Sequence, residues 1–175
     1  MLEYSMHKIL YFYILQAVLI SSLHAKEPIL SILFDITSNG SQKFNIGNYN
    51  FRCNSYAIET IEELYYRDET SSECKKSIEN FYTKNPKLKY FSEYLLHVKQ
   101  EYHVDFRNSE CILYAKGEKT LSEILLENGL GILNKPFKDR EFEYSFKKAQ
   151  HKATINKIGL WGDKKLRSCF EAKKN

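Results

Sequence analysis

Four cysteines, Cys53, Cys74, Cys111 and Cys169, carry the most distinctive chemistry in the chain. Thiols of this kind either ligate a soft metal or oxidise in pairs. A zinc site has little support: there is no Cys-x-x-Cys, and His97, His103 and His151 show no ligand spacing to the cysteines or to one another. An even count in an oxidising compartment predicts two disulfides, with three pairings open. A second group is acidic and basic: Glu59 and Glu62 in Ile58-Glu-Thr-Ile-Glu62, with Arg52 shortly before them. On residue type alone these form a surface ion-pair cluster, which contributes little to stability. The tyrosines Tyr65, Tyr66, Tyr82 and Tyr90 either cover a core or stack unpaired bases.

The N-terminus predicts the compartment that the cysteines need. A short basic region ending at Lys8, an apolar run from Ile9 to Ile20 and small residues leading to Ala25 have the layout of a secretory signal peptide, with cleavage expected after Ala25. The apolar run is shorter than the roughly 20 residues of a comfortable membrane span. An uncleaved N-terminal anchor is the other reading of this segment. The expected organisation is a leader over residues 1–25 and one domain over residues 26–175, exported to a periplasmic or extracellular space without a stable membrane span.

Composition limits what that domain is. The 175 residues are 43% hydrophobic, 14% aromatic and 27% charged, with only 7 glycines and 3 prolines, which fits one folded domain and excludes a disordered or collagen-like chain. The net charge of +4 does not by itself identify a nucleic-acid partner. Its distribution is uneven: residues 135–175 hold 12 Lys and Arg against 5 Asp and Glu. A solvated helix face or a phosphate-tracking tail both accommodate this.

The elements that position these residues follow from periodicity. Ile29–Phe34, Lys43–Ile46 and Tyr49–Phe51, separated by Ser38-Asn-Gly-Ser41 and Gly47-Asn48, predict a three-strand meander. The polar stretch 59–85 is ambiguous apart from a short helix beginning near Ser71 or Ser72. Leu88, Phe91, Leu95 and Val98 recur at helical spacing and predict an amphipathic helix over Lys87–Gln100. Tyr102, Val104 and Phe106 alternate as in a strand, Glu110–Ala115 continues as another, and Asn108-Ser109 makes a tight hairpin between them. Further helices are expected over Leu121–Asn128, stopped by Gly129, and over Arg140–Lys157, with Phe142, Phe146, Ala149 and Ala153 on one face. Trp161 is expected as a core aromatic. Strands, helix, strands and helices in this order predict an α+β fold, a five-stranded OB-type barrel with three helices.

Two blocks resemble the staphylococcal nuclease (thermonuclease) family. Tyr114-Ala-Lys-Gly117 followed by Leu121-Ser-Glu-Ile-Leu-Leu-Glu-Asn-Gly129-Leu-Gly131 is similar to the family's Tyr-x-x-Gly turn and the helix after it. Ala149-Gln-His-Lys-Ala153 and Lys157-Ile-Gly-Leu-Trp161 are similar to its Ala-x-x-x-Ala and Gly-x-Trp ending. The resemblance implies a staphylococcal-nuclease-like barrel that hydrolyses DNA or RNA phosphodiesters. In such enzymes calcium is held by carboxylates, a glutamate activates water and two arginines stabilise the phosphate.

Carried onto this chain, the resemblance makes Arg52 the first arginine, Glu59 a metal ligand and Glu62 the general base. The family's Asp-Gly-Asp-Thr turn has its local counterpart in Asn39-Gly40-Ser41-Gln42, which offers no carboxylate, and Asp35 serves as a second metal ligand only if the strand is shifted. The Tyr-Gly-Arg loop is cut down to Arg107-Asn108-Ser109: Asn108 falls at the arginine's place, and Arg107 substitutes if the hairpin swings it inward. Loss of one charge-stabilising donor typically costs about 100–1000-fold in rate. Two functions are therefore expected in competition: a calcium-dependent nuclease, or an inactive module that binds single-stranded nucleic acid or an envelope protein. The same resemblance implies the disulfides Cys53–Cys111, between neighbouring strands, and Cys74–Cys169.

Overall fold

The computed structural model describes residues 28–107, 109–134 and 136–171. The expected leader over residues 1–25, with its cleavage point after Ala25, lies outside the described residues, as do Asn108 and the last four residues of the basic tail.

Strands β1 (Ile29–Ser38), β2 (Ser41–Ile46) and β3 (Tyr49–Ser55) form the predicted antiparallel meander. β5 (Glu101–Arg107) pairs with β1 and with β6 (Glu110–Lys116), and β6 returns to pair in parallel with β3. The order β3-β2-β1-β5-β6 thus closes on itself, giving a five-stranded barrel of OB type in an α+β chain. The parallel seam is short, Asn54 opposite Glu110 and Ser55 opposite Cys111. Inward residues Leu33, Phe44, Val104 and Leu113 fill the barrel, and Ile112 is buried on its outer side. Phe51 packs face to face on Phe44 and edge-on to Phe106.

Between β3 and β5 in the chain lies β4 (Ile58–Thr60), which pairs with β8 (Gly131–Leu133) in a separate two-stranded sheet, and a two-residue strand β7 (Lys119–Thr120) folds back to pair antiparallel with β6. Neither β4 nor β8 has enough residues to show a period in sequence. The helices are more numerous than the expected three. Among the described residues they are α1 (Ile61–Tyr66), α2 (Ser72–Lys84), α3 (Pro86–Lys89), α4 (Phe91–Leu95), α5 (Leu121–Glu127), α6 (Glu143–Ile155) and α7 (Lys164–Glu171), with a 3₁₀ turn at Gly159–Gly162. Ser71 caps α2 as predicted, its hydroxyl accepting from the Cys74 N–H.

One predicted helix is broken. Lys87–Gln100 is not continuous: α3 and α4 meet at Tyr90 (φ −113°, ψ 27°), and the chain turns extended at Leu96. A continuous helix needs the Ser92 N–H for its own ladder, but that group donates to the Asn39 side chain, and the Ser92 hydroxyl donates to the Asn39 carbonyl. Leu96 is buried where the period placed Val98, which is exposed. Lys99, in the left-handed region at φ 74°, then turns the chain so that its N–H donates to Leu33 and the Gln100 carbonyl accepts from it.

The two family-like blocks meet in space. Gly129 and Gly159 both have left-handed backbone, at φ 61° and 59°, and a Cβ on either would run into the other's segment. The Leu160 N–H donates to the Gly129 carbonyl at 2.9 Å. α5 and α6 pack together, with Phe142, Phe146, Ala149 and Ala153 buried. Trp161 is half-buried against the core.

Both expected cysteine pairs are at bonding position. Cys53 and Cys111 lie inside the barrel across the β3–β6 seam with Cα atoms 5.4 Å apart. Cys74 on α2 and Cys169 on α7 have Cα atoms 5.7 Å apart, and they dock the last helix on the first long one. No helix among the described residues is long and apolar enough to cross a membrane.

Candidate functional site

α1 opens with a capping box: the Thr60 hydroxyl accepts from the Glu63 N–H while the Glu63 carboxylate accepts from the Thr60 N–H. That start directs Glu62 toward the β1–β2 turn. Its Oε1 accepts two hydrogen bonds, from Asn39 Nδ2 at 2.6 Å and from the Tyr82 hydroxyl at 2.7 Å. Its Oε2 is shut off from solvent and accepts none. Burial outweighs the Tyr82 and Asn39 donors and the influence of the residue's own backbone N–H, and pushes the Glu62 carboxyl up to about 7. The same burial, with the neighbouring carboxylate, drives the Tyr82 phenol far above its ordinary value.

Asn39 is the hub of this arrangement. Beyond Glu62, its amide donates to the Leu88 carbonyl at 2.8 Å and accepts from the Ser92 N–H at 2.9 Å. Its own carbonyl accepts from Gln42 Nε2 and from the Ser92 hydroxyl. Asn39 therefore holds the turn, α1 and the α3–α4 segment together through its hydrogen bonds.

Glu62 also lines a cavity of about 650 Å³ bounded by the end of β1 and helices α1, α2, α3 and α4. Four tyrosines, Tyr65, Tyr66, Tyr82 and Tyr90, stand around it. Aromatic content marked these residues in the sequence, but their convergence on one cleft is a product of the three-dimensional fold.

The other expected site residues have different partners. A bulge in β1 between Leu33 and Asp35 sets Asp35 opposite Lys43, which in turn sits opposite Arg52, so the three form one row across β1, β2 and β3. Lys43 Nζ is 2.7 Å from Asp35, and that bond, together with the more distant Arg52, holds the Asp35 carboxyl below its usual value. Arg52 is exposed on the barrel's outer face. Glu59, on β4, is buried and ion-paired with Arg67. It lines a second, smaller cavity with Trp161 and Arg167, not the cavity that Glu62 lines. Arg107 is bound by Asp105 at 2.8 Å and by Glu141 at 3.3 Å.

Arg52 and Asp35 are thus brought together, while Glu62, Glu59 and Arg107 belong to three further neighbourhoods. Lys43, Arg67 and Glu141 were not singled out in the sequence, because only cross-strand register and chain return bring them to these partners. The donors expected for calcium do not fit that ion. Asp35 and Glu59 are each engaged by a cation, and no group of three or more His, Cys, Asp or Glu suited to a metal occurs among the described residues. No protein-family model matches the chain, and comparison with curated proteins gives no match.

Proposed function

We propose that the chain is an exported barrel of staphylococcal-nuclease type that has given up phosphodiester hydrolysis and binds single-stranded nucleic acid. The observation that carries this reading is the neutralisation of its would-be metal ligands, Asp35 by Lys43 and Glu59 by Arg67. Arg107 is likewise committed to Asp105 and Glu141, so it is not held in reserve for a phosphate. Export is supported by the leader-like residues 1–25 and by the two cysteine pairs.

The binding surface in this reading is the outer face of β1, β2 and β3. Leu30, Ile32 and Phe34 are exposed on β1, beside the Asn45–Asn50 amide pair and near Arg52, the cation of the row that Asp35 does not pair with directly. Aromatic and apolar surface that accepts a base, flanked by cations for the backbone, is the usual composition of a strand-face site for single strands.

The test is incubation of the purified chain with labelled single-stranded DNA, in calcium and in chelator. The expected result is intact DNA in both and binding that weakens with salt, by about two- to threefold between 50 and 200 mM for one neutralised phosphate. Arg52→Ala is expected to weaken binding. Calcium-dependent cleavage that disappears in Glu62→Gln would restore the nuclease reading.

A further inference from the structure

We propose that the tyrosine-walled cleft beside Glu62 is a binding site for a guanidinium or primary ammonium group, as carried by a basic peptide side chain or a polyamine. The cleft is acidic although the chain is basic. Glu62, Glu79 and Glu93 line it, against a single lysine, Lys89. Lys89 Nζ lies 5.5 Å from the centre of the Tyr90 ring, so one wall of the cleft already carries a cation over an aromatic face.

The second observation is independent of charge count. Glu62 Oε2 is excluded from solvent with no hydrogen-bond donor, while its sister oxygen has two. A buried acceptor left unmade is costly, and a ligand bearing N–H groups relieves it. Glu79 is already oriented, one oxygen accepting from the Tyr65 hydroxyl at 2.8 Å, which leaves a fixed carboxylate on the α2 wall.

The walls favour the same ligand. Ring faces of tyrosine attract cations, as Lys89 over Tyr90 already illustrates, and Tyr66 is exposed at the rim where an entering chain meets it first. A phosphate or nucleic-acid backbone meets three carboxylates here and is repelled. A cavity of about 650 Å³ admits a whole arginine side chain or a linear triamine. The site lies away from the Lys43–Arg52 row and does not depend on the nucleic-acid reading.

Calorimetric titration of the oxidised full chain with N-acetyl-arginine methylamide, spermidine and tetramethylammonium tests the assignment. Arginine amide and spermidine are expected to bind, and tetramethylammonium, which has no N–H, about tenfold more weakly or worse. Tighter binding of spermidine identifies a polyamine and tighter binding of the arginine derivative a basic peptide; either supports the site. Glu62→Gln is expected to lose about tenfold in affinity, and Glu93→Gln, an exposed rim position that leaves the buried network untouched, about threefold. Lys43→Ala should bind as wild type. Absence of binding by both N–H probes, or equal affinity in both glutamine variants and wild type, would overturn the proposal.

Discussion

Asn39 and Glu62 join across the fold through a hydrogen bond of 2.6 Å, amide to carboxylate, at the point where a metal-binding carboxylate was expected. The amide removes a negative charge from beside Glu62 and replaces it with a donor. The glutamate then becomes a group that burial and neutral donors keep close to half-protonated near neutrality, with no cation beside it. The first prediction concerns this bond. Asn39→Ala deprives Glu62, the Leu88 carbonyl and the Ser92 N–H of a partner at once, and should cost about 2–4 kcal/mol in urea unfolding. An unchanged midpoint would show that the hub contributes nothing.

Glu62 predicts a pH dependence of stability. Its carboxyl titrates near 7 when folded against 4.5 in its ordinary state, so the folded chain holds a proton that the unfolded chain releases. Its contribution is present below about pH 4.5 and lost as pH rises to about 7, a change of roughly 3 kcal/mol. The charged and titratable groups facing it are Glu63 and Tyr65 on α1, Tyr82 and Glu79 on α2, Lys89 and Tyr90 along α3, and Glu93 on α4. Glu63 is shifted upward too, chiefly by burial, and adds the same sign. Glu62→Gln, which stays neutral, should therefore gain on wild type as pH rises through this window. Parallel unfolding curves from pH 4.5 to 7 would contradict the assignment.

Gly129→Ala and Gly159→Ala are each expected to destabilise by roughly 2–4 kcal/mol, since each adds left-handed strain and a backbone clash. Gly47 is also left-handed, at φ 57°, but nothing surrounds it, so Gly47→Ala should cost about 1 kcal/mol. Thermal melts of the three variants separate strain from clash.

The two disulfides should reduce in a fixed order. Cys53 and Cys111 are each 1% exposed, whereas Cys74 and Cys169 are half-buried on helices at the surface. Mild dithiothreitol followed by alkylation and mass spectrometry should label Cys74 and Cys169 first. Replacing either pair by serine should cost roughly 4–5 kcal/mol from loop entropy, the separations being 58 and 95 residues.

The barrel was legible because its strands are regular and separated by turn residues: Ser31, Leu33, Val104 and Leu113 point inward, as alternation requires. The Gly129 stop and the Phe142–Ala153 face were readable for the same local reason. The break at Tyr90 was not, since the competitor for the helix ladder is Asn39, far away in sequence. The candidate site was legible as residues and not as a site. The motif Ile58-Glu-Thr-Ile-Glu62 sets Glu59 and Glu62 three residues apart, but the three-residue strand β4 and the capping box at Thr60 turn them into different cavities. Counter-ions such as Lys43 for Asp35 depend on a β-bulge, which leaves no signature in composition.

The β3–β6 seam is the only parallel pairing in the described sheet, two residue pairs long, with Cys53–Cys111 lying across it. A chain kept reduced lacks the covalent part of that closure, so the barrel has a latch set by its surroundings rather than by its sequence alone. Closure of the barrel is thereby coupled to the redox state around it, and a reduced chain is held at the seam by the backbone pairing alone. Amide exchange along β3 and β6 should quicken on reduction more than along the β1–β2 hairpin, and equal rates would argue against such a latch.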